Sequence, residues 1–366
     1  MKLLALPIVF SWSLFAAQSA APTFDDLASR ASAARESNDV ARAIELYQEA
    51  LRLNLKWEEG WWFLGSLLYD ADKYAESRNA LSHVVELDPK AAPAWGLLGL
   101  CEYETAYYDQ SLTHIQRSLS LGGANQPQMD RVLRYHKALL LTRAGDFDRA
   151  IQEYSPLVRD GSQDPSMLTS IGLAALRTSL LPKEVPESQH ELFLNAGKAS
   201  FYTMTGDFQS AQRAYHDLLE RFPTSINVHY LYGCFLLVSD TDRAISEFKH
   251  ELQIAPSNPA AAAMLAWILL RRGEYKAALP YAEKAAQGAP KFAVAQSVLG
   301  RLLVESGAVD QGIEHLKIAE SLDPAFLDTH LSLATAYSRI GKNQDARRER
   351  ELSLEMVKEQ NPVARQ

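Results

Sequence analysis

The sequence predicts an all-α protein: an α-solenoid of antiparallel helix hairpins. Two observations carry this reading. The first is a repeat near 34 residues: Trp61 and Trp95, Gly65 and Gly99, and Tyr74 and Tyr108 are each 34 apart. Pro223, Pro256, Pro290 and Pro324 step at 33, 34 and 34 residues. Small residues keep the same beat at Ala43, Ser77 and Ser111, then at Ala211, Ala244, Ala278, Gly312 and Ala346. A period of this size marks stacked supersecondary units. The second observation is composition: Ala, Leu and Glu are plentiful and strand-type alternation is scarce, which favours helix. In such arrays each unit contacts only its neighbours, so 366 residues do not require several separate globular cores.

The chain begins with Lys2 and an apolar run from Leu3 to Ala17, followed by small residues around Ala17-Gln18-Ser19 and Ser19-Ala20-Ala21. This reads as a cleaved export signal over residues 1–21, with an uncleaved anchor as the alternative. The expected location is periplasmic or secreted, with no stable membrane insertion after cleavage. Cys101 and Cys234 fall in helices several repeats apart. Packed helices sit roughly 8–10 Å from their neighbours, so the pair is expected to exceed the roughly 7 Å that a bridge spans. Both are expected to be buried thiols that behave as small apolar residues.

One unit illustrates the hairpin. From Glu58 a first helix carries Trp61, Leu64, Gly65 and Leu68 at helical spacing. A turn follows at Asp72-Lys73. The second helix carries Ser77, Leu81 and Val84 and stops at Leu87-Asp88-Pro89, because proline cannot continue it. Mid-helix glycine costs about 1 kcal/mol relative to alanine, so close helix approach must require it. Gly65, Gly99, Ala138, Ala199, Ala266, Gly300 and Ala334 are expected to face Ser77, Ser111, Ala150, Ala211, Ala278, Gly312 and Ala346.

This pattern resembles the tetratricopeptide repeat, a 34-residue helix–turn–helix unit, over nearly all of the chain after residue 23. The best copies are 58–91, 259–292 and 293–326. The turn signal appears as Gly145-Asp146-Phe147 and Gly206-Asp207-Phe208, with Gly273-Glu274-Tyr275 a variant. The unit at 226–258 lacks one residue in its turn near Asp240, and the unit at 131–160 has Arg134 at the usual first-helix aromatic position. The expected organisation is a block of about four repeats over 24–160, an irregular segment over 161–189, about five repeats over 190–360 and a tail over 361–366. Within the irregular segment, Pro165 to Leu180 reads as a first helix without a second. The prolines Pro182 and Pro186 oppose helix formation. Nine extended residues reach about 30 Å, so a strap over 181–189 could stand in for the missing helix. Arg350 near the end replaces an aromatic residue, as a soluble terminal repeat requires.

Chemistry is harder to find. The nine histidines include no i, i+4 pair, and there is no Cys-x-x-Cys, no G-x-S-x-G nucleophile turn and no phosphate-binding glycine loop. No enzyme activity, cofactor or metal is expected. The net charge is −8 without a block of Lys and Arg, which disfavours nucleic acid as a partner. The resemblance implies a binding role on the concave first-helix face, at the second, fifth, ninth, twelfth and thirteenth positions of each unit. These place Trp62, Tyr69, Asp70, Tyr103, Glu104, Tyr135, Arg143, Tyr230, Trp267, Arg271, Arg301 and Glu305 on that face. Trp61 and Trp95, at the fourth position, are expected in the core. A lysine–asparagine carboxylate clamp is missing, since Trp62, Ser66, Gly96 and Leu100 hold the corresponding positions. The expected function is a protein- or peptide-binding scaffold of the cell envelope, with an accessory subunit of an envelope enzyme complex as the alternative. The sequence leaves the oligomeric state open.

Overall fold

The computed structural model describes residues 21–123, 127–159, 161 and 163–360. Residues 1–20, most of the expected export signal, and the 361–366 tail lie outside them. Among the described residues every regular element is helical, and no helix is long and apolar enough to cross a membrane. The chain divides into two compact units between Lys137 and Ala138. The boundary falls inside a helix, not in the 161–189 segment where the sequence suggests a joint.

The first unit holds the hairpins α1 (Phe24–Glu36) with α2 (Val40–Leu53), α3 (Glu58–Asp70) with α4 (Tyr74–Leu87), and α5 (Ala92–Glu104) with α6 (Tyr108–Ser120), then the start of α7 (Pro127–Arg143). Side-chain caps open the first hairpin: Thr23 Oγ1 accepts from the Asp26 N–H at 3.3 Å and Asp39 Oδ1 from the Arg42 N–H at 3.2 Å. The anticipated small contacts are present and carry a hydrogen bond. Ser77 Oγ donates to the Gly65 carbonyl at 2.7 Å and Ser111 Oγ to the Gly99 carbonyl at 2.6 Å, both fully buried. A side chain on either glycine would meet Leu81 or Ile115 closer than real Cβ atoms approach. Successive first helices also touch one another, as α3 and α5 do.

The second unit continues with α8 (Phe147–Tyr154), α9 (Pro165–Ala175), α10 (His190–Thr205), α11 (Phe208–Arg221), α12 (Val228–Leu236), α13 (Thr241–Ile254), α14 (Pro259–Arg271), α15 (Tyr275–Gly288), α16 (Ala293–Glu305), α17 (Val309–Leu322), α18 (Leu327–Arg339) and α19 (Asn343–Gln360). From α10 on, each even-numbered helix pairs with the next in hairpins. Ala211, Ala278 and Ala346 are buried at their contacts, and Gly300 and Gly312 pack backbone to backbone. The shortened turn near Asp240 leaves α12 with 9 residues where α14 and α16 have 13.

The irregular segment departs from expectation in two ways. Helix α9 stops at Ala175, not Leu180, because Arg177 turns into left-handed backbone at φ +51°. Its partner is α10 and not the strap. Gly172 and Gly197 bring the two backbones together so closely that a Cβ on Gly172 would overlap the Phe193 carbonyl, and one on Gly197 the Leu168 carbonyl. Residues 181–189 are not extended. They fold into short 3₁₀ turns at Pro182–Glu184 and Glu187–Gln189, with prolines at the starts that proline tolerates.

Candidate functional site

The first-helix face can now be followed residue by residue. In the first unit α3 presents Trp62 and Tyr69, both half-buried, and Asp70, which is exposed; α5 presents the exposed Glu104. The Tyr69 ring packs edge-on against Tyr74 at 5.5 Å. Burial pushes the Tyr69 hydroxyl up, and Cys101, Glu104, Asp70 and Asp72 push it further by charge. Tyr74 Oη donates to Asp72 Oδ1 at 2.6 Å, which raises its pKa to about 12. Asp70 and Glu104 form no ion pair among the described residues, so this end of the face is acidic and uncompensated. Tyr135 is half-buried on α7 beside His136, with ring centroids 5.6 Å apart.

Tyr103 is a correction. It is only 8 % exposed and pressed edge-on to His136 at 4.8 Å, so its ring packs between repeats and does not stand open on the face. Tyr230 in the second unit is likewise buried at 7 % exposure, against Phe248. The rule of ligand-facing positions describes an even superhelix, and both tyrosines sit where the next helix closes over them.

All but one of the other candidates of the second unit are committed within the chain. Arg143 bonds both carboxylate oxygens of Glu184 at 2.8 Å, and Glu184 in turn accepts from the Leu181 N–H, which fixes the 181–189 segment. Trp267 Nε1 donates to Asp328 Oδ2 at 2.8 Å, reaching from α14 to the start of α18, while Arg271 stacks over its ring at 4.8 Å. Glu305 pairs with Arg339 at 2.5 Å. Arg301, half-buried on α16, forms no hydrogen bond or ion pair among the described residues. Arg271 and Arg301 give this face a cationic character.

The fourth position works differently from expectation. Trp61 and Trp95 are half-buried, not core, and each indole N–H donates to a loop carbonyl six residues earlier, Leu55 at 2.9 Å and Pro89 at 3.0 Å. His229, Gln296 and His330 make the same bond to Pro223, Pro290 and Pro324 at 3.0, 3.0 and 2.8 Å. In these five units a flat side chain with an N–H donor tethers the loop to the helix that follows it.

A tetratricopeptide repeat model matches residues 29–77, 64–127, 135–188 and 238–291, more than half of the chain. This chain belongs to the tetratricopeptide repeat family. Two further tetratricopeptide repeat models match 191–225 and 269–320. Tetratricopeptide repeat protein 21A of Mus musculus is 21% identical over 298 residues, 72% of this chain and 23% of the mouse protein. The chain therefore spans under a quarter of that relative's length. Among solved structures, MamA 41-end from Desulfovibrio magneticus RS-1 is 24% identical over 47% of this chain and 97% of its own, with a TM-score of 0.38. A crystal structure of MamA protein is 22% identical over 47% of this chain and 94% of its own, with a TM-score of 0.36.

Both thiols of this tetratricopeptide repeat protein are free, and burial pushes the Cys101 pKa up to about 11 and that of Cys234 to about 12. They stay protonated at neutral pH, unlike a reactive thiolate. What the first-helix face offers is contact area and fixed charge.

Proposed function

We propose that this chain is a non-enzymatic scaffold of the cell envelope that holds an extended peptide or a partner helix against its first-helix face. Family membership supports a protein partner, and stacked helices suit both docking modes. The observation that carries the reading is the group on α3 and α5: Trp62, Tyr69, Asp70 and Glu104. Two accessible aromatic rings stand beside two carboxylates that have no ion-pair partner among the described residues. Aromatic rings supply contact area at low entropic cost, and the carboxylates select a cationic segment by steering and complementarity. The envelope location rests on the apolar leader of the sequence alone, and fractionation of cells producing the full chain tests it.

Partner capture from an envelope extract, compared between wild type and variants of unchanged circular dichroism, tests the face. Trp62→Ala is expected to weaken capture about 10-fold, a loss of roughly 1–2 kcal/mol. Asp70→Asn with Glu104→Gln should lower capture mainly at low salt, since the steering they supply is screened. Capture that is indifferent to all three substitutions would remove this face from the account.

A further inference from the structure

We propose that His229, Glu247 and His250 form a zinc-binding site on the α12–α13 hairpin. Glu247 and His250 are three apart on α13 and so share one face of that helix. His229 on α12 meets them, and the three candidate ligand atoms lie within 4.8 Å of one another. His229 Nδ1 is 2.6 Å from Glu247 Oε2, and the two imidazole rings are 4.9 Å apart.

The second nitrogen of His229 makes the loop tether shared with four other units, and that bond decides which ring nitrogen is left for a metal. Nε2 donates to the Pro223 carbonyl at 3.0 Å, which directs the ring and leaves Nδ1 as the ligand atom. A backbone carbonyl on the far nitrogen is the usual outer partner of a metal-bound histidine. Two imidazoles and a carboxylate suit zinc and leave a fourth position for water or a partner's side chain. With bonds near 2.0 Å, tetrahedral ligands stand roughly 3.3 Å apart, so the Glu247 oxygen must move out from its 2.6 Å contact and the His250 nitrogen, within 4.8 Å of both, must settle to the same spacing. His250 is exposed and open to an incoming ion, while the His229 and Glu247 side chains are only 12% and 17% exposed.

Zinc takes the place of the proton that Nδ1 shares with Glu247, and that proton leaves to solvent, so binding weakens as pH falls. A second cluster, Glu320, His330 and Glu349, has the same carbonyl bond on its histidine but is closed to an incoming ion. His330 and Glu349 are 3% and 1% exposed, and Glu349 is already bonded to Arg348.

Titration of the tag-free full chain with zinc against a chromogenic chelator tests the site, with cobalt(II) absorption as a second readout. One equivalent is expected to bind, with the visible bands of four-coordinate cobalt. His250→Ala and Glu247→Gln should each weaken binding by at least about 10-fold, whereas His83→Ala, another exposed histidine, leaves it unchanged. Absence of stoichiometric binding would overturn the proposal, as would binding that survives both ligand substitutions.

Discussion

The two units make the same turn from different residues. In the first, the backbone enters the left-handed region just past each first helix at Asn38, Asp72 and Ala106, with φ of +58°, +56° and +63°. In the second, Gly145, Gly206, Gly273, Gly307 and Gly341 hold that place, with φ between +76° and +92°, and only Arg177 after α9, at +51°, is not glycine. The closing bonds match: Lys73 N–H reaches the Leu68 carbonyl at 2.9 Å and Tyr107 N–H that of Glu102 at 2.8 Å, while Glu274 N–H reaches Leu269 at 2.9 Å. This bond from beyond the helix end back to its last turn is a recurrent C-terminal cap. Packing of the hairpin therefore imposes the turn, and the residue there only decides how much strain it stores.

The largest test concerns helix contacts. The α3–α4 and α5–α6 hairpins of the first unit close through a serine hydroxyl on a glycine carbonyl, whereas α9 and α10 meet on bare backbone. Gly197→Ala is expected to cost about 3 kcal/mol or more, since a rigid carbonyl stands where the methyl must go. Ser77→Ala should cost only about 1 kcal/mol, the net worth of one hydrogen bond. Urea denaturation read by circular dichroism measures both. Equal costs would show that the two contacts are not different in kind.

The turns come next. Ala106→Gly should stabilise the first unit by about 1 kcal/mol through relief of left-handed strain. Gly273→Ala should destabilise the second by about as much, with no steric part, because nothing lies within 4 Å of the added Cβ. If both substitutions are silent in thermal melts, the turns store no strain.

A smaller effect separates the units by pH. His136 in the first unit has its pKa lowered by burial, against the hydrogen bond to the Val132 carbonyl. Its contribution is present above the ordinary value of 6.5 and is lost as pH falls through the depressed folded value. His229 in the second unit is raised, chiefly by its bond to Glu247. At His330 burial opposes the charge, but Glu349 and the Pro324 carbonyl outweigh it and the pKa rises. Their contribution is full below 6.5 and is lost as pH climbs through the raised values. Hydrogen exchange resolved by segment, with a chelator present so that no zinc binds, should show opposite pH trends around these histidines. His330→Gln should flatten the trend in α18 and α19.

The sequence revealed the hairpins because each hairpin repeats its neighbour. Gly65 with Ser77 and Gly300 with Gly312 are 12 apart in every copy, and the Gly-Asp-Phe turns announce themselves. The α9–α10 contact was not legible, since Gly172 and Gly197 are 25 apart and no other unit repeats that spacing. Tyr103 and Tyr230 occupy family binding positions, and only the closeness of adjoining helices shows that they are covered. The tether from Trp267 to Asp328 spans 61 residues, and no local pattern encodes it. The zinc triad hid for a related reason: Glu247 and His250 form a visible i, i+3 pair, but the third ligand comes from another helix.

The central claim is that the partner lies against the first helices. Photo-crosslinking from a benzophenone amino acid placed at position 62 on α3, and separately at exposed position 86 on α4, tests it most directly. Capture of a partner from 62 and not from 86 is the predicted result; capture from 86 alone would contradict the claim.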